Sequence, residues 1–383
     1  MRRIQIGIIV VFCGLLSAMS LVTMLKPENE YSEKENRILE TKPEFLLEDV
    51  LTGDYQECYE SYLNDQFFAR DIWVNTSVKA QRLLGKSDIN QVYLGADGYL
   101  IEEYTDADFD EEQIENNIFL LTDFMNRMTE EMGSEHVLLM MVPGKANALP
   151  DKLPVPAVPY DTSILMDEIS DNLQEPEELL DLTDTMRAHE QEEIYYRTDH
   201  HWTTLGAYYA YEQWAVQQGI EPNPLEFYDR ELIADEFYGT TYNKICQAVQ
   251  PDHVELFHQP VEAQLSVDKN DGEDVSSSWY QEEAIEGEAD KYRIFFGGNT
   301  AKIVISTAGN TGKRLLVLKD SYANCLVPFL APYYDEIVMI DLRYQMDLIG
   351  DILQQEEAFT DVLLCYNMEK FLQDEKMDLL AQE

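Results

Sequence analysis

Positive charge is what this chain has least of. Against 74 aspartates and glutamates stand 27 lysines and arginines, a formal net charge of -47. That balance repels nucleic acid, anionic lipid and polyanions wherever no cation or local basic patch intervenes. A nucleic-acid role is excluded on this ground. A strongly acidic polysaccharide is a poor substrate, whereas a neutral or amino-sugar-containing wall polymer is compatible. Cysteine is scarce too: Cys13 lies in an apolar run, and Cys58, Cys246, Cys325 and Cys365 form no close pair. This excludes a disulfide scaffold and the spacing of a structural zinc site. Cys325 and Cys365, set among apolar residues, read as buried thiols. The six histidines include no His-x-His or His-Glu-x-x-His pattern.

Long hydrophobic runs are absent except for one. Arg2 and Arg3 precede an apolar stretch from Ile4 to Leu25, long enough to cross a bilayer as a helix, and the basic residues favour a cytoplasmic N-terminus. The run lacks a clean Ala-x-Ala site and exceeds the usual signal-peptide core. Residues 1–25 therefore read as a signal anchor, with a cleaved signal peptide as the second reading. Either places the rest outside the cytoplasm, membrane-anchored or secreted. Residues 26–43 read as a solvated linker and 44–383 as one catalytic domain.

Within that domain, apolar positions at helical spacing predict two helices over 44–84 and an amphipathic helix over 111–132. Val92–Leu94 and Tyr99–Ile101 flank a Gly-Ala-Asp-Gly turn and predict a hairpin. Continuous apolar runs at 136–142, 315–318, 337–340 and 362–364 have the character of strands buried on both faces, as in a parallel sheet. Further strands are expected near Ile194–Tyr196, at Tyr292–Phe296 and at Lys302–Ile305. Together these predict a three-layer α/β core with a mostly parallel central sheet. Residues 221–290, with four prolines and the acidic stretch 268–278, read as an irregular insertion.

Two separated segments carry chemistry. Asp320-Ser321 follows the run Arg314–Lys319 and precedes a helix-capable stretch, so Ser321 sits where a strand turns into a helix, with helical N–H groups near a developing oxyanion. A serine hydroxyl needs a base to become a nucleophile. Asp199-His200-His201 can supply it: in an extended segment, residues 199 and 201 point to the same side, so Asp199 can orient His201 toward Ser321. Asn299, after two glycines, is a candidate oxyanion or substrate donor. Lys145 and Asn147, after the strand ending at Val142, are candidate substrate contacts, as are Trp202, Tyr322 and Arg343. Trp202 reads first as packing behind the imidazole, and Arg343 equally as a partner of Asp341. Asp199, His200 and His201 could alternatively hold a divalent metal, but the assigned site contains no metal and its chemistry requires no cofactor.

The segment Tyr196-Arg197-Thr198-Asp199-His200-His201-Trp202, with Thr203-Thr204-Leu205-Gly206-Ala207-Tyr208 after it, resembles the DHHW family of bacterial surface proteins. These are related to the alginate O-acetylation proteins and their SGNH-hydrolase-like domains. Asn36-Arg37, Asp65-Gln66-Phe67 with Arg70, Gly95 to Leu100, Val142 to Lys145, Phe296 to Asn299 and Lys319 to Tyr322 extend the likeness over roughly residues 30 to 370. The resemblance implies an SGNH-like sandwich and a triad of Asp199, His201 and Ser321. It also implies acetyl transfer to, or removal from, a surface polysaccharide or wall glycan. A transferase would need a multispanning membrane partner to supply the acyl group. The alternatives are a noncatalytic membrane-anchored glycan-binding protein and a metal-dependent hydrolase.

Overall fold

The computed structural model describes residues 2–29, 31–32, 37–245, 249–260, 264–269, 272, 274–283, 285 and 290–382. Asn36, Cys246 and parts of the stretch 221–290 lie outside the described residues. The chain divides into two compact units, Met1–Asn90 with Tyr242–Ala248, and Gln91–Thr241 with Val249–Glu383.

The first unit contains α1 (Arg2–Leu25), a two-residue ladder of β1 (Tyr31–Ser32) and β2 (Arg37–Ile38), and helices α2 (Leu47–Thr52), α3 (Asp54–Gln66) and α4 (Arg70–Leu83). The part of α1 from Ile4 to Leu25 is long and apolar enough to cross a membrane. The connection expected to be a solvated linker is tied down at two points by the end of α3. Gln66 donates through Nε2 to the Asn29 and Glu40 carbonyls (2.7 and 3.0 Å) and accepts from the Asn29 N–H, while Asp65 accepts from the Glu40 N–H. Gln66 is fully buried, so losing these bonds would strand its amide.

The second unit is an α/β fold around a mixed eight-stranded sheet. Its N-terminal hairpin pairs β3 (Val92–Leu94) with β4 (Leu100–Glu102) across a turn that places Gly98 at φ 80°, a conformation glycine adopts without strain. The main sheet is built from β5 (Val137–Val142), β6 (Leu179–Asp181), β9 (Ser266–Lys269), β10 (Asp274–Ser276), β11 (Lys302–Ser306), β12 (Arg314–Lys319), β13 (Glu336–Ile340) and β14 (Asp361–Asn367). A separate antiparallel pair consists of β7 (Asp229–Phe237) and β8 (Asp252–His258). The order in the main sheet is β10-β9-β11-β13-β12-β14-β5-β6. From β13 to β6 the strands are parallel; β11, β9 and β10 add an antiparallel half.

Period-two alternation explains how one sheet serves two cores. Leu138, Met140, Leu315, Val317, Leu363 and Cys365 face one side, packed with Tyr211 and Trp214 of α7 (Thr204–Gln217) and Leu326 and Phe329 of α8 (Ala323–Leu330). Leu139, Met141, Leu316, Leu318 and Leu364 face the other, against Leu121, Phe124 and Met125 of α5 (Glu111–Met132) and Leu165 and Ile169 of α6 (Ser163–Asn172). Strands covered on both faces need no polar alternation, hence the continuous apolar runs in the sequence.

Two expected strands do not form. Ile194–Tyr196 makes only a single bridge, Tyr195 to Trp202, because the chain turns back immediately through residues 197–201. Lys291–Ile294 is a 3-10 turn capped by Asp290, and Phe296 beyond it has φ 59°, which ends any extended run. Part of the stretch expected to be irregular is ordered into β7, β8, β9 and β10.

Candidate active site

The central position of β12, between β13 and β14, sets the location of Ser321. Past the strand end, Asp320 closes the turn: Oδ1 accepts the Tyr322 N–H (2.9 Å) and Oδ2 accepts the Asn367 N–H at the end of β14 (2.7 Å). Burial pushes the Asp320 carboxyl up, with Arg343 and the two donated N–H bonds pulling the other way. Asp320 thus acts as a fastener between neighbouring strand ends. The N–H of Tyr322, expected to face an oxyanion, is engaged by this carboxylate.

The His201 ring lies between Asp199 and Ser321. Its Nδ1 is 2.6 Å from Asp199 Oδ1 and its Nε2 is 2.7 Å from Ser321 Oγ. The pairing of residues 199 and 201 does not arise from an extended strand, as the sequence suggested. Residues 197–201 form a bend in which the His201 backbone N–H also donates to Asp199 Oδ1 (3.0 Å), an Asx-type turn that folds the carboxylate back onto its own ring. Asp252 braces the bend from β8, accepting from the Arg197 and Thr198 N–H groups (2.7 Å each) and the Thr198 hydroxyl (2.5 Å).

The second oxygen of Asp199 is also engaged. Thr240 donates to Oδ2 through its N–H (2.7 Å) and hydroxyl (3.0 Å). Burial alone would raise the Asp199 carboxyl, but His200, His201 and the bonds His201 donates hold it well below the ordinary range. It is therefore an anion in the folded protein, which fixes the hydrogen on Nδ1 of the ring and leaves Nε2 as an acceptor for the serine proton. Tyr292 lies flat on the imidazole, centroids 3.7 Å apart and planes 6° from parallel, and its hydroxyl donates to the Ser321 carbonyl (3.2 Å). One tyrosine thus contacts both the His201 ring and the Ser321 backbone.

The other candidate residues have distinct surroundings. Asn299 Oδ1 accepts from Lys319 Nζ and Asn324 Nδ2, both at 2.9 Å, which fixes the amide's orientation; among the described residues its NH2 donates to no protein group. Lys319, fully buried, also contacts Asp341 (3.2 Å), whose carboxylate is gripped by the Arg343 guanidinium at 2.7 and 2.8 Å. Trp202 is buried against Tyr322 and donates to its carbonyl (3.1 Å). Tyr322 donates to the His200 carbonyl (2.5 Å). Lys145 is buried with its ammonium on the carbonyls of Leu100, Tyr196 and Arg197, and burial pulls it down to about 8. Asn147 donates to Glu369 and Tyr160. A small cleft of about 20 Å³, room for about one water, lies between Lys145, His200, Tyr322, Asn367 and Glu369.

Asp199, His200 and His201 offer ligand atoms within 4.8 Å of one another. A divalent cation there would have to displace existing bonds, since both His201 nitrogens and both Asp199 oxygens are engaged and His200 Nδ1 faces the Thr240 hydroxyl (2.6 Å). Burial, and then the adjacent His201, hold His200 down to about 3.

This arrangement lies within the stretch that carries the chain's relationship to known proteins. Residues 179–340 match the DHHW protein family. The match takes in Asp199, His201, Asn299 and Ser321. Among solved structures, the chain is similar to a DHHW family protein from Eubacterium siraeum, at 23% identity and TM-score 0.61, over 76% of this chain and 95% of that one. It is similar as well to Bacillus cereus PatB1, at 20% identity and TM-score 0.58, over 75% and 98%. PatB1 bearing a sulfonyl adduct gives 20% identity and TM-score 0.59, over 76% and 98%. At these identities the likeness is one of fold. No curated protein sequence matches significantly.

Tyr292, Thr240, Gly239 and Asp252 were not singled out by the sequence. Each reaches the site from a remote segment, and none stands in a pattern that spacing could reveal. One of their neighbours carries a pH signature. Burial, and then the charge of Asp199, push Asp290 up to about 6 from 3.8. A carboxyl raised on folding favours the native state while it holds its proton, so this contribution is full below about 4 and is lost as pH rises through 6. The span corresponds to roughly 3 kcal/mol. Asp199 and Asp341, both lowered, act oppositely and withdraw stability below about 4. Thermal unfolding across pH 3 to 8 should give a maximum near pH 4, and Asp290→Asn should flatten its neutral flank. A profile unchanged by that substitution would contradict the assignment.

Proposed function

We propose that this protein is an extracytoplasmic serine-dependent acyl-ester enzyme with an SGNH-hydrolase-like three-layer domain. It acts as an O-acetyltransferase or O-acetylesterase on a cell-surface polysaccharide or wall glycan. The observation that carries the reading is the His201 ring bonded at once to Asp199 and Ser321. In this reading Ser321 Oγ attacks the acyl carbonyl as its proton passes to His201 Nε2, and Asp199 stabilises the imidazolium. The Asn299 NH2 and the N–H of Ser321 receive the oxyanion. Collapse expels the donor oxygen, protonated by His201, and leaves an acyl-serine. Water then releases acetate, or a sugar hydroxyl takes the acetyl group, with His201 again the base.

Support for the acyl-serine comes from the sulfonyl adduct of PatB1, since sulfonyl groups trap activated nucleophiles. The apolar span of α1 supports placement outside the cytoplasm as an anchor or signal sequence. One such helix forms no path for an acetyl group across a bilayer, so the transferase form implies a multispanning membrane partner as donor. Incubation with an activated acetyl ester should add one acetyl group at Ser321, found by peptide mass spectrometry and absent in Ser321→Ala. Acetate release without glycan identifies an esterase, and acceptor-dependent acetylated glycan a transferase. Finding neither adduct nor acetylated or hydrolysed product in either condition would remove the proposal.

A further inference from the structure

The end of α1 and the connection two residues before α4 are joined by a hydrogen bond: the Phe68 N–H donates to Thr23 Oγ1 at 3.1 Å. Thr23 is two residues from the end of the apolar span at Leu25, about 3 Å along the helix axis. Any surface presented by the first turn of α4 is therefore held where that span ends. The turn presents Ile72, 66% exposed, and Trp73, 49% exposed, and the far end of the helix presents Leu83 and Leu84, 88% and 84% exposed. At 100° per residue, Ile72, Trp73, Thr76, Ala80, Leu83 and Leu84 share about a third of the circumference. Val78 on the opposite side is buried.

The charge on this segment reverses that of the chain. Between residues 70 and 86 stand four basic residues, Arg70, Lys79, Arg82 and Lys86, against the single acid Asp71, in a protein with 74 acidic and 27 basic side chains. Lys79, Arg82 and Lys86 are exposed. This is the local basic patch that an otherwise lipid-repelling chain would need to rest on an anionic bilayer. Tryptophan prefers the headgroup region, and an apolar face flanked by lysine and arginine is the pattern of a helix lying in the interface plane.

We infer that α4 is an interfacial helix whose Ile72–Trp73–Leu83–Leu84 face lies in the outer leaflet of an anionic membrane beside α1. The inference rests on α1 spanning the bilayer, as in the proposed function, and is independent of the acyl chemistry.

The test uses the full chain reconstituted in anionic vesicles containing lipids brominated near the headgroup end of their acyl chains. The difference in emission between wild type and Trp73→Phe isolates Trp73 from the buried Trp202, Trp214 and Trp279. The expected result is roughly twofold or greater quenching of that difference, consistent with a depth of about 5–10 Å, and its loss in the Leu83→Glu/Leu84→Glu variant. Unquenched Trp73 in protein that withstands a carbonate wash overturns the inference while leaving the span intact. Protein stripped from the vesicles by carbonate overturns both. A crosslinked dimer through Trp73 or Leu83 assigns the face to a second copy and also overturns it. Acetyl labelling of Ser321 in the same vesicles reads the acyl chemistry separately.

Discussion

Asp199→Asn is expected to lower turnover of an activated acetyl ester about 10⁴-fold while leaving the fold in place. The size of the effect follows from how fully the carboxylate is used. Oδ1 accepts from the His201 N–H and ring, and Oδ2 from the Thr240 N–H and hydroxyl. An amide has one acceptor. If its NH2 faces the ring, Nδ1 must become the acceptor, the hydrogen moves to Nε2, and no lone pair remains there for the serine proton. If it faces Thr240, one donor meets another and the bend must shift, taking the imidazole with it. Initial rates and circular dichroism on purified Asp199→Asn decide the matter. A loss below about tenfold would mean that Asp199 is not orienting the base.

Gly239→Ala should produce the second large effect, at a residue that touches no substrate. A Cβ at position 239 would stand 2.2 Å from Asp199 Cβ and 2.3 Å from its Oδ2, and Asp199 has no room to retreat because Thr240 and His201 hold both oxygens. Overpacking of this kind costs about 1–3 kcal/mol. The displaced carboxylate should also cost about 10²-fold or more in turnover, since a misplacement near 1 Å suffices for that. Gly350→Ala is the matched control, because nothing lies within 4 Å of the added carbon. Thermal unfolding and ester turnover of both variants separate the two contributions. A Gly239→Ala protein with full activity would show that the carboxylate is less confined than its bonds suggest.

These two predictions mark how far the sequence could be read. Asp199, His201 and Ser321 were legible because each stands in a local pattern: an Asp-x-His pair before a helix, and a serine after a buried strand. β5, β12, β13 and β14 were legible because strands covered on both faces have little choice but aliphatic residues. β9 and the edge strand β10 were not. Ser266, Asp268 and Lys269 of β9 and Asp274 and Ser276 of β10 are polar or charged, so no apolar run marks either strand and the sequence reads as loop. Tyr292–Phe296 was misread in the opposite sense, since a buried aromatic 3-10 turn and a short strand have the same composition. Thr240, Gly239 and Asp252 serve the site through backbone approach and hydrogen bonds across about 40 to 55 positions of chain. No periodicity in one sequence records such contacts.

The strand that carries Ser321 is flanked in the sheet by β13 and β14, both synthesised after it, and the turn is fastened only when Asn367 closes on Asp320. An emerging or truncated polypeptide thus holds Ser321 without the register that aims it, and non-local pairings of this kind are slow to form. Under the proposed function, ester cleavage becomes a clock for the final act of assembly, to be read out during refolding as the last signal to return.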